Sequence, residues 1–187
     1  MAHGDCSPNV GDSGWGRGRR PVANVSWDDA KIYVAWLSRI TGKKYRLLSE
    51  AEFEYSARSR TQTAYPWGDE IQLNGMVMAN CNGCGSPWDD RLLATVDSFA
   101  PNPFGLYGIL GNAWQWMADC WHPSYLHAPD DGSAWVEKSC TKHVIRGGSW
   151  NNLPVLVRSA SRSFSTDDGG DYDYSSLTGF RVARDLP

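Results

Sequence analysis

The sequence predicts a loop-rich α+β domain with two helices and short antiparallel strands. Three observations predict it. Two capped amphipathic patterns fall in the first third of the chain, the remainder beyond Thr61 is dominated by Gly, Pro, Asn, Asp and scattered aromatics, and only short runs such as Lys142 to Ile145 and Gly179 to Ala183 read as strands. A chain of 187 residues fits one domain, and burying about 70% of its unfolded surface supplies an adequate core.

Residues 1–20 are Gly-rich and polar and read as a flexible lead-in, with one domain expected over 21–187. Gly14-Trp15-Gly16-Arg17-Gly18 lacks the strand and helix that a nucleotide loop needs. Ser26 ahead of Trp27-Asp28-Asp29 is an N-cap with acids in the first turn, and Ala30, Tyr33, Val34 and Leu37 mark one helical face until Gly42 stops it. Ser49-Glu50-Ala51-Glu52 is a capping box that starts a second helix, from about Glu50 to Arg58. Long loops then need internal anchors, and ten tryptophans can supply them, each burying a ring and donating its N–H to a loop carbonyl.

With 18 basic and 21 acidic residues there is no basic stripe, which argues against nucleic acid as a partner. No apolar run is long enough to span a bilayer, so the chain as given is expected to be soluble, at the cell surface or in the cytoplasm. Five cysteines are odd in number, so at least one lacks a partner within the chain. Cys81-Asn82-Gly83-Cys84 fits a local turn, reduced thiols, a disulfide or half of a zinc site, and Cys120 with Cys140 is a candidate bridge. His122 and His127 lie in a Pro-containing loop at a spacing that suits no regular ligand face, and the adjacent acids Asp28-Asp29, Asp89-Asp90, Asp130-Asp131 and Asp167-Asp168 read as solvated or capping groups.

The ordered motifs Trp67-Gly68-Asp69, Phe104-Gly105-Leu106-Tyr107, Gly111-Asn112-Ala113-Trp114-Gln115-Trp116, Arg146-Gly147-Gly148-Ser149-Trp150 and Gly179-Phe180-Arg181-Val182 give a further reading. Together they resemble the formylglycine-generating enzyme (sulfatase-modifying factor) family over about Pro21 to Leu186. The resemblance implies that family's variant of the C-type lectin fold. It also implies an oxidase with a copper-holding cysteine pair shortly after the RGGS block, yet no cysteine lies between Arg146 and Val182. The matching positions are Asn152 and Val157, which cannot act as thiolates for Cu(I). Ser149 and Trp114 match active-site residues but are expected to serve the fold. A second relative, a non-haem iron sulfoxide synthase, needs a His-rich iron site that this chain lacks; the expectation is therefore a pseudoenzyme with no resident cofactor.

The family's calcium sites carry over poorly. The side-chain ligands of one fall on Gly108 and Gln115, a glycine and a neutral amide. At the other, Asn80 matches a ligand, with Asp89 or Asp90 as candidate carboxylates, against a self-capped turn built by Asn80 and Asn82.

The stretch 150–180 interleaves framework residues (Pro154, Arg158, Ser159, Ala160, Arg162) with positions of paratope-like chemistry. Those positions are Asn151, Asn152, Leu153, Val155, Leu156, Ser161, Ser163, Phe164, Ser165, Asp167, Asp168, Asp171, Tyr172, Asp173, Tyr174, Ser175 and Ser176. This resembles the variable region of proteins diversified by diversity-generating retroelements, which randomise template adenines; every such residue belongs to the set reachable from Asn-type codons. The resemblance implies a non-catalytic display protein that binds a protein or glycan ligand. A fixed binding or regulatory module, or a formylglycine-generating oxidoreductase, are the alternatives. An exposed cluster of Leu153, Val155, Leu156, Phe164, Tyr172 and Tyr174 would mark a ligand patch, whereas burial would make the segment an ordinary loop.

Overall fold

The computed structural model describes residues 11–166 and 177–186. Helix α1, Trp27–Thr41, begins on the expected capping box: Ser26 Oγ accepts from Asp29 N–H at 3.0 Å, and Asp29 Oδ2 accepts from Ser26 N–H at 3.1 Å. Gly42, at φ 66°, ends it. Only Ala30 and Val34 of its apolar face are fully buried, and Tyr33 and Trp36 remain partly exposed. Strand β1, Tyr45–Leu47, leads to α2, Glu50–Arg58, capped in the same way by Ser49 and Glu52. Phe53 and Ala57 of α2 enter the core.

A two-stranded ribbon follows, β2 (Gln72–Leu73) and β3 (Met76–Val77). The main sheet is formed by β4 (Trp114–Cys120), β5 (Lys142–Arg146), β6 (Arg162–Thr166) and β7 (Thr178–Phe180), in the order β6-β5-β4-β7. Strand β8, Val182–Arg184, pairs with β1, so the last described strand closes against the first. Most pairs are antiparallel as expected, but β7 lies parallel to β4. The expected strand Gly179 to Ala183 is divided between two sheets at Arg181. Strand β4 carries no alternating pattern because all but one of its residues are buried, so it was not legible as a strand.

One core cluster joins Phe53, Met117, Val144, Val157, Cys81 and Cys84. The other joins Ala30, Val34, Leu47, Trp114, Trp116 and Ile145. Tryptophans staple the loops: Trp116 Nε1 donates to Val25 O at 2.9 Å, Trp27 Nε1 to Met117 O at 2.8 Å, and Trp67 Nε1 to Glu70 O at 3.0 Å. Cys81 is bonded to Cys84 and Cys120 to Cys140, so the zinc and free-thiol readings of the CxxC turn give way to a disulfide. Cys6 lies outside the described residues. His122 is a packing residue, stacked 3.5 Å from Trp135 with Nε2 2.9 Å from Glu137.

The described part of the expected lead-in, residues 11–20, makes contacts with the rest of the domain. Trp15 meets Trp150 edge-on at 5.6 Å, Arg19 pairs with Asp97 at 2.6 Å, and Arg20 Nε donates to Leu93 O at 3.0 Å. A large ring that finds an aromatic partner outweighs the glycines around it.

Candidate functional site

The loop after β5 is built on a rigid floor. Gly147 and Gly148 adopt φ of 100° and 75°, and a Cβ on Gly148 would lie 2.9 Å from Leu156 O and 3.0 Å from Val157 Cγ2. Only glycine fits both the conformation and the space. Gly111 N–H donates to Gly147 O, and Trp150 N–H donates to Asn112 O. Asn112 also accepts from Ala94 N–H at 2.8 Å and from Asn80 Nδ2 at 3.2 Å. The RGGSW and GNAWQW motifs are therefore two loops stitched into one floor.

Arg146, fully buried at the start of this loop, holds its underside. Its guanidinium contacts the Glu54 carboxylate and the carbonyls of Ser161 and Ser159. Nearby, Glu50 receives Arg162 through two hydrogen bonds of 2.8 and 2.7 Å and the Tyr125 hydroxyl at 3.0 Å. Burial, reinforced by Glu50, pushes the Tyr125 hydroxyl up to about 12. Asp119 accepts backbone N–H groups of Glu50 and Trp135 at 2.7 and 2.9 Å, and burial raises its pKa against those bonds.

Asn152 and Val157, the positions expected to match the family's copper cysteines, offer no thiolate to a metal. Val157 is fully buried in the first core cluster, against Gly148. Asn152 ties the floor together: its Oδ1 accepts from Ser149 N–H at 3.0 Å and lies 2.8 Å from Ser149 Oγ, while its carbonyl accepts from Asn82 N–H at 2.9 Å. Ser149 and Trp114 are both buried, at 0% and 3% exposure. No copper-dependent step can be drawn through these side chains.

The calcium candidates are equally committed. Asn80 is fully buried; its Oδ1 accepts from Ser86 Oγ at 2.7 Å and its Nδ2 donates to Leu92 O at 3.0 Å. Asp89 caps the N–H groups of Gly85 and Ser86. Gln115 turns its Oε1 toward Arg181 Nε at 3.0 Å, so a guanidinium sits where a cation ligand set would need its oxygen. Among the described residues no group of three His, Cys, Asp or Glu side chains converges.

Above the floor, a single 3-10 turn, Pro154–Leu156, projects apolar groups outward: Leu153, Val155 and Leu156 are 59%, 52% and 43% exposed. The turn is pinned from below by Tyr65, whose hydroxyl donates to Pro154 O at 3.0 Å, and by Ser161 Oγ, which donates to Val155 O at 2.9 Å. Asn151 is half-buried beside Ser149. Phe164 is half-buried, packed on Trp121 at 4.9 Å beneath the Lys142 ammonium. Ser163 is half-buried, while Ser161 and Ser165 face the interior. The structure thus brings Leu153, Val155 and Leu156 onto one exposed turn and turns Asn152, Ser161 and Ser165 to the scaffold. Residues Asp167, Asp168, Asp171, Tyr172, Asp173, Tyr174, Ser175 and Ser176 lie outside the described residues.

A second concavity was not singled out from sequence. It lies between residues 19–22, 96–97, 105–108 and 179–181, with a volume of about 570 Å³. The side chain of Arg181 is its polar centre, and the sequence, which reads Arg181 as the middle of one strand, carries no signal for it. No helix among the described residues is long and apolar enough to cross a membrane.

The chain is similar to known proteins over most of its length. Residues 4–186 match the family described as Sulfatase-modifying factor enzyme 1-like domain. The chain is 34% identical over 183 residues to the formylglycine-generating enzyme of Thermomonospora curvata, covering 90% of this chain and 57% of that one. It is 35% identical to the inactive C-alpha-formylglycine-generating enzyme 2 of Mus musculus, over 87% of this chain and 48% of the relative. The chain spans about half the length of the curated relatives it matches. Among solved structures, PvdO from Pseudomonas aeruginosa is 40% identical with a TM-score of 0.83, over 92% of this chain and 65% of PvdO. The Treponema denticola variable protein 1 shares the fold at 24% identity and a TM-score of 0.73, over 94% of this chain and 71% of its own. The chain is a member of the sulfatase-modifying factor enzyme 1-like (formylglycine-generating enzyme) family.

Proposed function

We propose that this domain is a catalytically inert member of its family that binds a protein or glycan ligand through the 150–180 segment. The observation that carries the reading is the division of labour within 151–157. The positions matched to the metal-holding cysteines are a core valine and a structural asparagine, while Leu153, Val155 and Leu156 project from a turn anchored at both ends. A rigid floor lowers the ordering cost of binding, and exposed aliphatic groups within a polar rim can anchor a partner. A relative named inactive, at 35% identity, supports a family member without the oxidase activity.

The non-framework positions of the same segment carry residues reachable by adenine-directed mutagenesis, which favours its diversification by a retroelement. Two disulfides fit an oxidising compartment such as the cell surface, where a displayed binder meets its ligand.

Two measurements test this reading. Incubation with Cu(I), oxygen and a cysteine-containing sulfatase-type peptide is expected to leave the thiol unchanged by mass spectrometry, and conversion to an aldehyde would restore the oxidase reading. Sequencing the 150–180 codons across many source cells, with the neighbouring DNA, is expected to reveal a near-identical template beside a reverse transcriptase. An invariant segment without a template would reduce the reading to a fixed binding or regulatory module.

A further inference from the structure

We infer that the cleft around Arg181 is a binding site for a small monocarboxylate with an apolar body, lined by none of the residues of the exposed turn at 153–156. Arg181 offers five N–H donors, of which the structure uses three: Nε donates to Gln115 Oε1 at 3.0 Å, and Nη2 donates to the carbonyls of Tyr107 and Gly108 at 2.8 and 3.2 Å. Every one of these acceptors is neutral. Nη1 has no hydrogen-bond partner among the described residues and is not among the buried atoms sealed from solvent. The side chain therefore lies in the wall of the cleft with two donors left for a ligand.

Among the described residues its charge is likewise uncompensated. Burial pulls the Arg181 guanidinium below its ordinary pKa, with no carboxylate acting against that shift, although a guanidinium stays protonated at neutral pH. The acid that lines the same cleft, Asp97, is held by Arg19 through contacts of 2.6 and 3.3 Å. The cleft thus carries one cation in excess among Arg19, Asp97 and Arg181. A partly desolvated positive charge without a counter-ion favours an anionic ligand, and a carboxylate restores the balance.

The walls select the rest of the molecule. Val22, Val96 and Tyr107 are 41%, 44% and 45% exposed around the cleft, with Phe180 beside them. Covering these surfaces requires an apolar or aromatic body attached to the carboxylate, and a volume of about 570 Å³ accommodates a small molecule of that kind. Inorganic anions would satisfy Nη1 but leave the walls wet.

The test is a titration of the intact chain at low ionic strength with 3-phenylpropionate and with its neutral counterpart 3-phenylpropanol, followed by ligand-observed NMR and calorimetry. The expected result is saturable binding of the carboxylate at least about tenfold tighter than the alcohol, equivalent to about 1.4 kcal/mol. Arg181→Gln should abolish that preference, and Val96→Trp, which fills the mouth without touching the guanidinium, should weaken both probes. Should Arg181→Gln fail to fold, Val96→Trp and the carboxylate-to-alcohol ratio decide the matter. No saturation by the carboxylate, equal affinity for both probes, or unchanged binding in Val96→Trp overturns the assignment.

Discussion

Arg146 and Arg181 are both withdrawn from water, yet their surroundings make them different kinds of residue. Arg146 is fully buried beneath the RGGSW loop, with the Glu54 carboxylate on one nitrogen, Glu50 Oε1 3.5 Å from Nε and loop carbonyls around the rest. Among the described residues Arg181 meets only an amide oxygen and two backbone carbonyls, and it borders an open cleft. A cation whose charge is met by carboxylates inside the protein is part of the scaffold, even though Arg146 Nε makes no hydrogen bond, whereas one that borders a cleft without a carboxylate partner has capacity for a ligand.

The comparison is broken most directly by removing the first arginine. Arg146→Met takes one of two cations from Glu54, which is 29% exposed and keeps Arg58. It also strands the interior carbonyls of Ser159 and Ser161, and leaving those buried acceptors unpaired costs about 2–4 kcal/mol in all. Urea unfolding of this variant is expected to show a loss of that size or no folded protein. A loss below about 1 kcal/mol would mean that the ion pair is a surface-like contact.

Removing the second arginine should cost less. Arg181→Gln deprives Tyr107 and Gly108 of donors, but the adjoining cleft admits water to their carbonyls, so the expected loss is about 1–2 kcal/mol by the same unfolding measurement. Equal losses for Arg146→Met and Arg181→Gln would erase the distinction between them.

The floor and tip of the 151–157 loop form a parallel contrast. Val157→Ala opens space in the core cluster and is expected to cost about 1–3 kcal/mol, whereas Leu153→Ser on the exposed turn should change stability by less than about 0.5 kcal/mol. Thermal denaturation of the two variants side by side checks this, and a large loss for Leu153→Ser would show that the turn is structural rather than available for contact.

A further small effect, of pH rather than of packing, concerns an ion pair near the surface. Arg46 holds Glu52 below the ordinary carboxylate value of 4.5, chiefly through their hydrogen bonds, although burial opposes the shift. A depressed carboxyl pKa gives stability that is fully present above the unfolded value and is lost as pH falls through the lower folded value. The side chains are 36% and 37% exposed, which limits the contribution to under about 1 kcal/mol. Glu52→Gln should therefore flatten the acid side of the stability profile as pH falls below about 5, as read by denaturant midpoints at successively lower pH.

Much of the scaffold was legible in the sequence because its signals are local. Ser26 with Asp29, and Ser49 with Glu52, close capping boxes three residues apart, so both helix starts follow from neighbouring chemistry. The family motifs are also contiguous, and glycines in RGGSW report a backbone that no side chain could adopt. The absence of cysteine after Arg146 is a property of the sequence alone, and it underlies the expectation that Asn152 and Val157 stand where the family's copper cysteines would.

Tertiary structure decided what distance along the chain conceals. Strand β4 is buried on both faces, so it carries no period of two, and its partners β5 and β7 come from residues far along the chain. Whether Asn152 faced a ligand or the Ser149 hydroxyl depended on how the loop folds back on itself, and whether Trp15 floated or docked depended on Trp150. Arg181 reads in sequence as the middle of a strand; only the convergence of Gln115, Tyr107 and Gly108 shows that its guanidinium meets neutral oxygens and the cleft. Composition and short-range pattern fix caps, turns and the residues available for chemistry, but burial and pairing of a charge are sums over neighbours that only the folded chain assembles.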